Sequence, residues 1–334
     1  MRATVKDVAR RAGVSPKTVS NVVNGLVPVS PATRKRVELA LQELEYVPNL
    51  SARGLRNGRS GLIALALPKL ETAYSAEIAH HVVEFAHEAG WSVQLEETGM
   101  EPVREHELFV KARAHQIDGL ILNPVVLEAS ALERGVTLPP VVLIGEVEQE
   151  IADRVAVDSV AAARDMTRFL IERGHRQIVS VGGGERSVSA AGHLRGIGYR
   201  EAMAEAGLPA REIEEADWAP AAAARVVGAY LDSNPLPDAF FCFTDGMAMG
   251  ALSAITARGH RVPQDVALAG FDDIDAAQFL GPGLTTVSFD KREFAGRAFT
   301  MLVERMQDRD LEPRLVVVGH RIVERGTTRV AVRT

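Results

Sequence analysis

The chain has 334 residues, 46% of them apolar and 25% charged, an ordinary globular composition with length for two or three domains. No apolar run approaches the roughly 18 residues of a membrane span, and the first residues lack the apolar core of a signal peptide. The lone Cys242 excludes an intramolecular disulfide or a multi-cysteine zinc cage and suits a reducing cytoplasm.

The net charge of −6 argues at face value against a nucleic-acid partner. Its distribution says otherwise. Residues 1–60 hold eleven Lys and Arg against four acids, a net +7, which leaves −13 for the remainder. A basic head on an acidic body is the asymmetry of a nucleic-acid-binding module joined to something else.

Val5, Val8, Ala9 and Ala12 fall at helical spacing and predict a short helix over 5–12. Thr4 is its N-cap, Asp7 supports its positive end and Gly13 stops it. Ser15 then caps a second helix with Pro16 at its first position, running to about Val23 with Val19, Val22 and Val23 inward. Ser30-Pro31 opens a third helix, whose buried stripe is Val37, Leu41 and Leu44. Two short helices joined by a tight turn containing glycine make a helix-turn-helix.

Residues 5–15, 18–25, 29–34 and 44–49 match, in order and at fixed spacing, a motif set that resembles the headpiece of the lactose-repressor (LacI) family. The resemblance implies that the second helix enters the major groove of double-stranded DNA. Pro16, Lys17 and Asn21 would then read bases: Lys17 donating to guanine, Asn21 pairing with adenine, Pro16 offering an apolar contact. Thr4, Ser15, Thr18, Ser20, Asn24 and Ser30 match positions that hold backbone phosphates, which fix register without reading sequence.

Residues 47–59 read alone as a polar, glycine-containing linker. In the family this segment is a hinge helix that folds on the operator and pairs in the minor groove. Leu55 falls at the wedging leucine, Ala52 at the small residue one turn before, and Asn49 and Arg56 flank them. Gly54 departs from the pattern and lowers helix propensity by about 1 kcal/mol.

From Gly61 the pattern becomes α/β. Leu62–Leu67 is a continuous apolar run suited to a strand buried on both faces. Strands over 92–95, 119–122, 141–144, 178–181, 239–243 and 267–270 alternate with helices over about 75–89, 104–115, 161–172, 194–206, 219–231 and 246–257. This alternation predicts parallel sheets, and its length predicts two lobes.

The resemblance continues here through Ile117–Leu122, Gly174–Ile178, Gly198–Ala202, Arg261–Val266, Gly270–Asp273 and Leu284–Thr286. It implies a two-lobed core like that of periplasmic sugar-binding proteins. The implied division is a headpiece over 1–46, a hinge over 47–59, an N-lobe over about 60–159 and 289–319, and a C-lobe over about 160–288 and 320–334. A ligand would sit between the lobes at the carboxyl ends of the strands. Position by position, Glu71, Tyr74, Arg195, Asp245, Asp272 and Phe289 fall at effector-contacting sites. Acidic acceptors, one arginine and aromatic faces suit a neutral polyol ring.

The resemblance therefore implies a homodimeric, sequence-specific transcription regulator on a pseudo-palindromic operator. It would most naturally be a repressor released by a sugar-like effector. The alternative is a corepressor-dependent regulator, or an activator, answering to a non-sugar metabolite. No cofactor, metal site or catalytic residue is expected. Val181-Gly-Gly-Gly184 lacks the spacing of a dinucleotide loop and the lysine of a phosphate loop, and the nine histidines are scattered.

Overall fold

The computed structural model describes residues 3–24, 27–46, 60–114, 116–125, 139–184, 189–215 and 217–328. The hinge positions Asn49, Ala52, Leu55 and Arg56 lie outside the described residues. The chain divides into two compact units, residues 1–60 and 61–334.

The first unit contains α1 (Val5–Ala12), α2 (Pro16–Asn24) and α3 (Pro31–Glu43). Local side chains set each boundary. Thr4 and Asp7 form a reciprocal capping box on α1, and Gly13 closes it in the left-handed region at φ 64°. Ser15 Oγ accepts the Thr18 amide at 3.1 Å at the start of α2, and Ser30 Oγ accepts the Thr33 amide at 3.3 Å at the start of α3. Val8, Ala9, Ala12, Val19, Val22, Val37 and Ala40 form the small core where these helices meet.

Among the described residues, the second unit holds two six-stranded sheets. Sheet one collects β1 (Leu62–Leu67), β2 (Ser92–Glu97), β3 (Gly119–Leu122), β4 (Val141–Ile144), β5 (Asp153–Val157) and β11 (Leu315–Val318) in the order β11-β5-β4-β3-β1-β2, all parallel. Among the described residues, the helices that cross between its strands are α4 (Ala73–Glu88) and α5 (Pro102–Arg113). Sheet two collects β6 (Ile178–Val181), β7 (Arg211–Ile213), β8 (Ala239–Cys242), β9 (Ala267–Phe271), β10 (Thr285–Phe289) and β12 (His320–Val323) in the order β12-β10-β9-β8-β6-β7. Only β12 is antiparallel to its neighbour there. Helices α6 (Ser159–Glu172), α7 (Ala190–Glu205), α8 (Pro220–Ser233) and α9 (Asp245–Ala257) belong with it. Helix α10 (Lys291–Gln307) returns to pack on sheet one.

The chain passes between the sheets at Asp158, Asp290 and Gly319. The alternation therefore runs to Val323, with β10, α10, β11 and β12 following the last strand read from the apolar pattern. β5 was hidden from that pattern because it begins Asp153-Arg154. Asp153 is fully buried and held by Arg305 and Arg314, so a charge stands where the period asks for an apolar residue.

Two glycines permit close helix packing. A Cβ on Gly198 would meet the Val160 carbonyl oxygen at 2.1 Å, and one on Gly250 would meet the Pro220 oxygen at 1.9 Å. These absent methyls let α7 lie against α6 and α9 against α8.

Candidate DNA-reading helix and effector cavity

In the headpiece, the buried Val19 and Val22 turn α2 inward by one face. Lys17 and Asn21 are one turn apart on the other side; Lys17 and Pro16 are exposed and Asn21 partly so. Thr4, Ser15 and Ser30 are exposed at the starts of the three helices, while Thr18 and Ser20 are partly exposed on α2. Asn24 is the last residue of α2. The three cap hydroxyls are thus beside helix N-terminal amides, where a phosphate is electrostatically favoured.

In the second unit, a cavity of about 560 Å³ opens between the lobes at the carboxyl ends of both sheets. Glu71, Tyr74, Ser75, Asn123 and Glu146 line it from the first lobe. Ser189, Arg195, Trp218, Thr244, Asp272 and Ile274 line it from the second. Tyr74 and Ser75 are placed by α4, whose first turn is capped by Thr72 accepting the Ser75 amide at 3.2 Å.

Arg195 is the electrostatic centre. It projects from α7 and is 5% exposed. Its Nη2 lies 3.3 Å from Glu146 Oε1 in the opposite lobe, and its Nη1 lies 3.8 Å from Asp272 Oδ1. Nε donates to Ser159 Oγ at 3.4 Å, Ser159 donates on to Glu146 at 3.0 Å, and Nη1 also donates to the Phe243 carbonyl. The guanidinium lies 3.6 Å from the Phe271 ring centroid. Burial pushes the Asp272 carboxyl up to about 7, against the opposing pull of Arg195 and Lys291.

Asp245 and Phe289 lie one layer behind the cavity wall. Asp245 is fully buried; its carboxylate accepts the Ile274 amide at 2.9 Å and the Thr286 hydroxyl at 2.6 Å. It braces the turn that carries Asp272. Burial and the neighbouring Asp272 charge raise its pKa well above the ordinary value. Phe289 packs behind Tyr74, with ring centroids 6.4 Å apart, and against Phe294 at 5.5 Å. The structure thus brings Glu71, Tyr74, Arg195 and Asp272 together at the surface of the cavity, with the other two behind.

Two neighbouring residues escaped the sequence pattern. Trp218 faces the cavity and donates its indole N–H to the Gly182 carbonyl at 3.0 Å. Lys69 lines the rim and meets Asp217 of the other lobe at 2.7 Å. A tryptophan two residues before the proline that starts α8 was the available signal. The triglycine run has a steric cause: Cβ atoms on Gly182, Gly183 and Gly184 would strike Met247, Phe243 and Glu214 at 2.7, 2.3 and 2.4 Å.

Residues 4–49 match the family of bacterial regulatory proteins of the lacI type, and residues 167–328 match a periplasmic binding protein-like domain. The HTH-type transcriptional repressor PurR of Vibrio atlanticus (strain LGP32) is 33% identical over 336 residues, 98% of this chain and 99% of that protein. The chain belongs to the LacI family. As such it is a DNA-binding, ligand-responsive transcription regulator and not an enzyme. Two solved relatives span nearly the whole regulator. The lac repressor dimer bound to operator and the anti-inducer ONPF is 28% identical, covers 99% of this chain and 100% of its own, and gives a TM-score of 0.82. The CelR–cellobiose complex is 30% identical, covers 98% and 100%, and gives a TM-score of 0.69. No described helix is long and apolar enough to cross a membrane.

Proposed function

We propose that this regulator is a repressor that leaves its operator when a sugar-like effector fills the cavity between the lobes. The observation that carries the reading is the cavity wall: buried Arg195 already compensated by Glu146 and Asp272, with aromatic faces at Tyr74 and Trp218. Carboxylate oxygens accept from ring hydroxyls, and the aromatic faces cover the apolar face of a ring. The solved CelR complex holds cellobiose, which supports a carbohydrate ligand in this fold. Cavity contacts are assigned to Glu71, Tyr74, Arg195 and Asp272, with Asp245 and Phe289 supporting them.

On DNA, we assign base reading to Pro16, Lys17 and Asn21. Phosphate contacts go to Thr4, Ser15, Thr18, Ser20, Asn24 and Ser30, and minor-groove contacts to the hinge around Leu55. A homodimer on a pseudo-palindromic operator fits the exposed apolar side chains Leu95, Val103 and Val110 on β2 and α5 and Phe279 beyond β9. The effector would change the angle between the lobes and so lower affinity for DNA.

A second reading has its own support. Val125, Met249 and Ile274 make much of the wall apolar, which favours a flat heterocycle between Tyr74 and Trp218. A thermal-shift panel of neutral mono- and disaccharides beside purine and pyrimidine bases separates the two. A sugar that raises the melting temperature of the wild type but not of Arg195→Ala supports the first reading. A base with that behaviour, and no sugar, overturns it.

A further inference from the structure

The turn after β9 is strained and is gripped from the opposite lobe. Asp272 and Asp273 have φ of 107° and 49°, in the region that side chains rarely adopt. Lys291, the first residue of α10, donates Nζ to both of their carbonyl oxygens at 2.6 Å. The same ammonium lies 3.1 Å from Glu77 Oε2 on α4, where the lysine side chain is only 10% exposed. The other oxygen of Glu77 accepts the Asp275 amide at 2.7 Å. One carboxylate of the first lobe therefore holds both the cation and the backbone of the second lobe's turn.

That turn has consequences at the cavity. Asp272 points its carboxylate at Arg195, and Ile274 lines the wall. The first turn of helix α4 carries the cavity residues Tyr74 and Ser75, three and two residues before Glu77. Backbone oxygens of a strained turn, a nearly buried ammonium and a bridging carboxylate make one connected unit from Asp272 to α4.

We propose that Glu77 and Lys291 are positioning residues for the effector response: they hold the turn that presents Asp272 to the cavity and tie it to α4 of the other lobe. A ligand that engages Asp272 then pulls on α4 of the first lobe through Glu77, beside the chain crossing at Asp290. The proposal rests on the cavity being the effector site, and is indifferent to whether a sugar or a base occupies it.

Hydrogen exchange on the full chain without ligand tests the link independently of effector identity. Lys291→Met should speed amide exchange about tenfold in both residues 271–279 and residues 73–79, while strands β6 and β8 keep their rates. Lys291→Arg, which retains charge and donors, should restore both segments toward wild type. Glu77→Gln keeps an acceptor for the Asp275 amide but loses the ion pair, and should show the same joint response at smaller size. It also serves if Lys291→Met does not fold. Acceleration confined to 271–279, with 73–79 unchanged, would overturn the proposal, as would failure of Lys291→Arg to restore either segment.

Discussion

Lys69 and Asp217 join the two lobes at the rim of the cavity, 2.7 Å apart, with side chains 30% and 51% exposed. Deeper in, Arg195 and Glu146 join them at 3.3 Å with side chains 6% and 15% exposed. The two pairs look alike as contacts and differ in solvent. The rim pair is screened and contributes about 0–1 kcal/mol. Losing Glu146 from the deep pair leaves the buried Arg195 with only Asp272, at 3.8 Å, to offset its charge, and costs about 3 kcal/mol. Urea unfolding of Lys69→Met and Glu146→Ala should therefore give a small and a large loss. Equal losses would remove the distinction.

The Asp272 carboxyl predicts a particular pH dependence. In the unfolded chain it ionises at about pH 4. In the fold, burial holds its proton to about pH 7. The folded state thus binds more protons between those limits, so stability falls as pH rises through that window and levels off above it. Asp272→Asn should reduce the fall when urea midpoints are compared at pH 4, 5, 6, 7 and 8, values chosen to span that window, while Glu105, pushed up to about 7 by burial, keeps its share. A variant with the wild-type slope would refute this assignment.

Gly198→Ala tests the close approach of α7 to α6. The new methyl would stand 2.1 Å from the Val160 oxygen and 2.9 Å from the Arg164 amide nitrogen, both backbone atoms that cannot rotate away. Overpacking of this kind costs about 1–3 kcal/mol, more than the helix propensity gained. The melting temperature should fall; a rise would show that the helices separate freely.

The headpiece was legible because its signals are local. Thr4, Ser15, Ser30 and Gly13 cap or stop helices within their own sequence neighbourhood, and the structure places each boundary within a residue or two. The central strands were legible because both faces are buried and the apolar run is unbroken. Long-range pairings were not. Asp153 disguises β5 because its partners Arg305 and Arg314 are distant in sequence. β7 is a three-residue edge strand with polar residues. β11 and β12 are separated by Gly319 alone and yet join different sheets. At the cavity, spacing locates the right segments but not their depth. Asp245 begins α9 close to the wall, but its hydrogen bonds to Ile274 and Thr286 draw its carboxylate behind it.

On DNA, Lys17 is exposed on α2, opposite buried Val19 and Val22. As a base reader, Lys17→Ala should weaken operator binding by about 1–3 kcal/mol and relax selection at one base pair, leaving random DNA little affected. An equal loss on both would reassign it to phosphate. The +7 head on the −13 body further predicts affinity that falls steeply with salt. A flat response would contradict contact through the headpiece alone.

Coupling between cavity and headpiece is tested most directly by fluorescence anisotropy of labelled operator, titrated with regulator at fixed salt, with and without a saturating ligand from the thermal-shift panel. Coupling of the usual size gives an operator Kd weaker by about 5- to 150-fold when the cavity is filled, and Arg195→Ala should abolish the change. An operator Kd unchanged by a ligand that demonstrably binds the cavity would contradict effector control of this repressor.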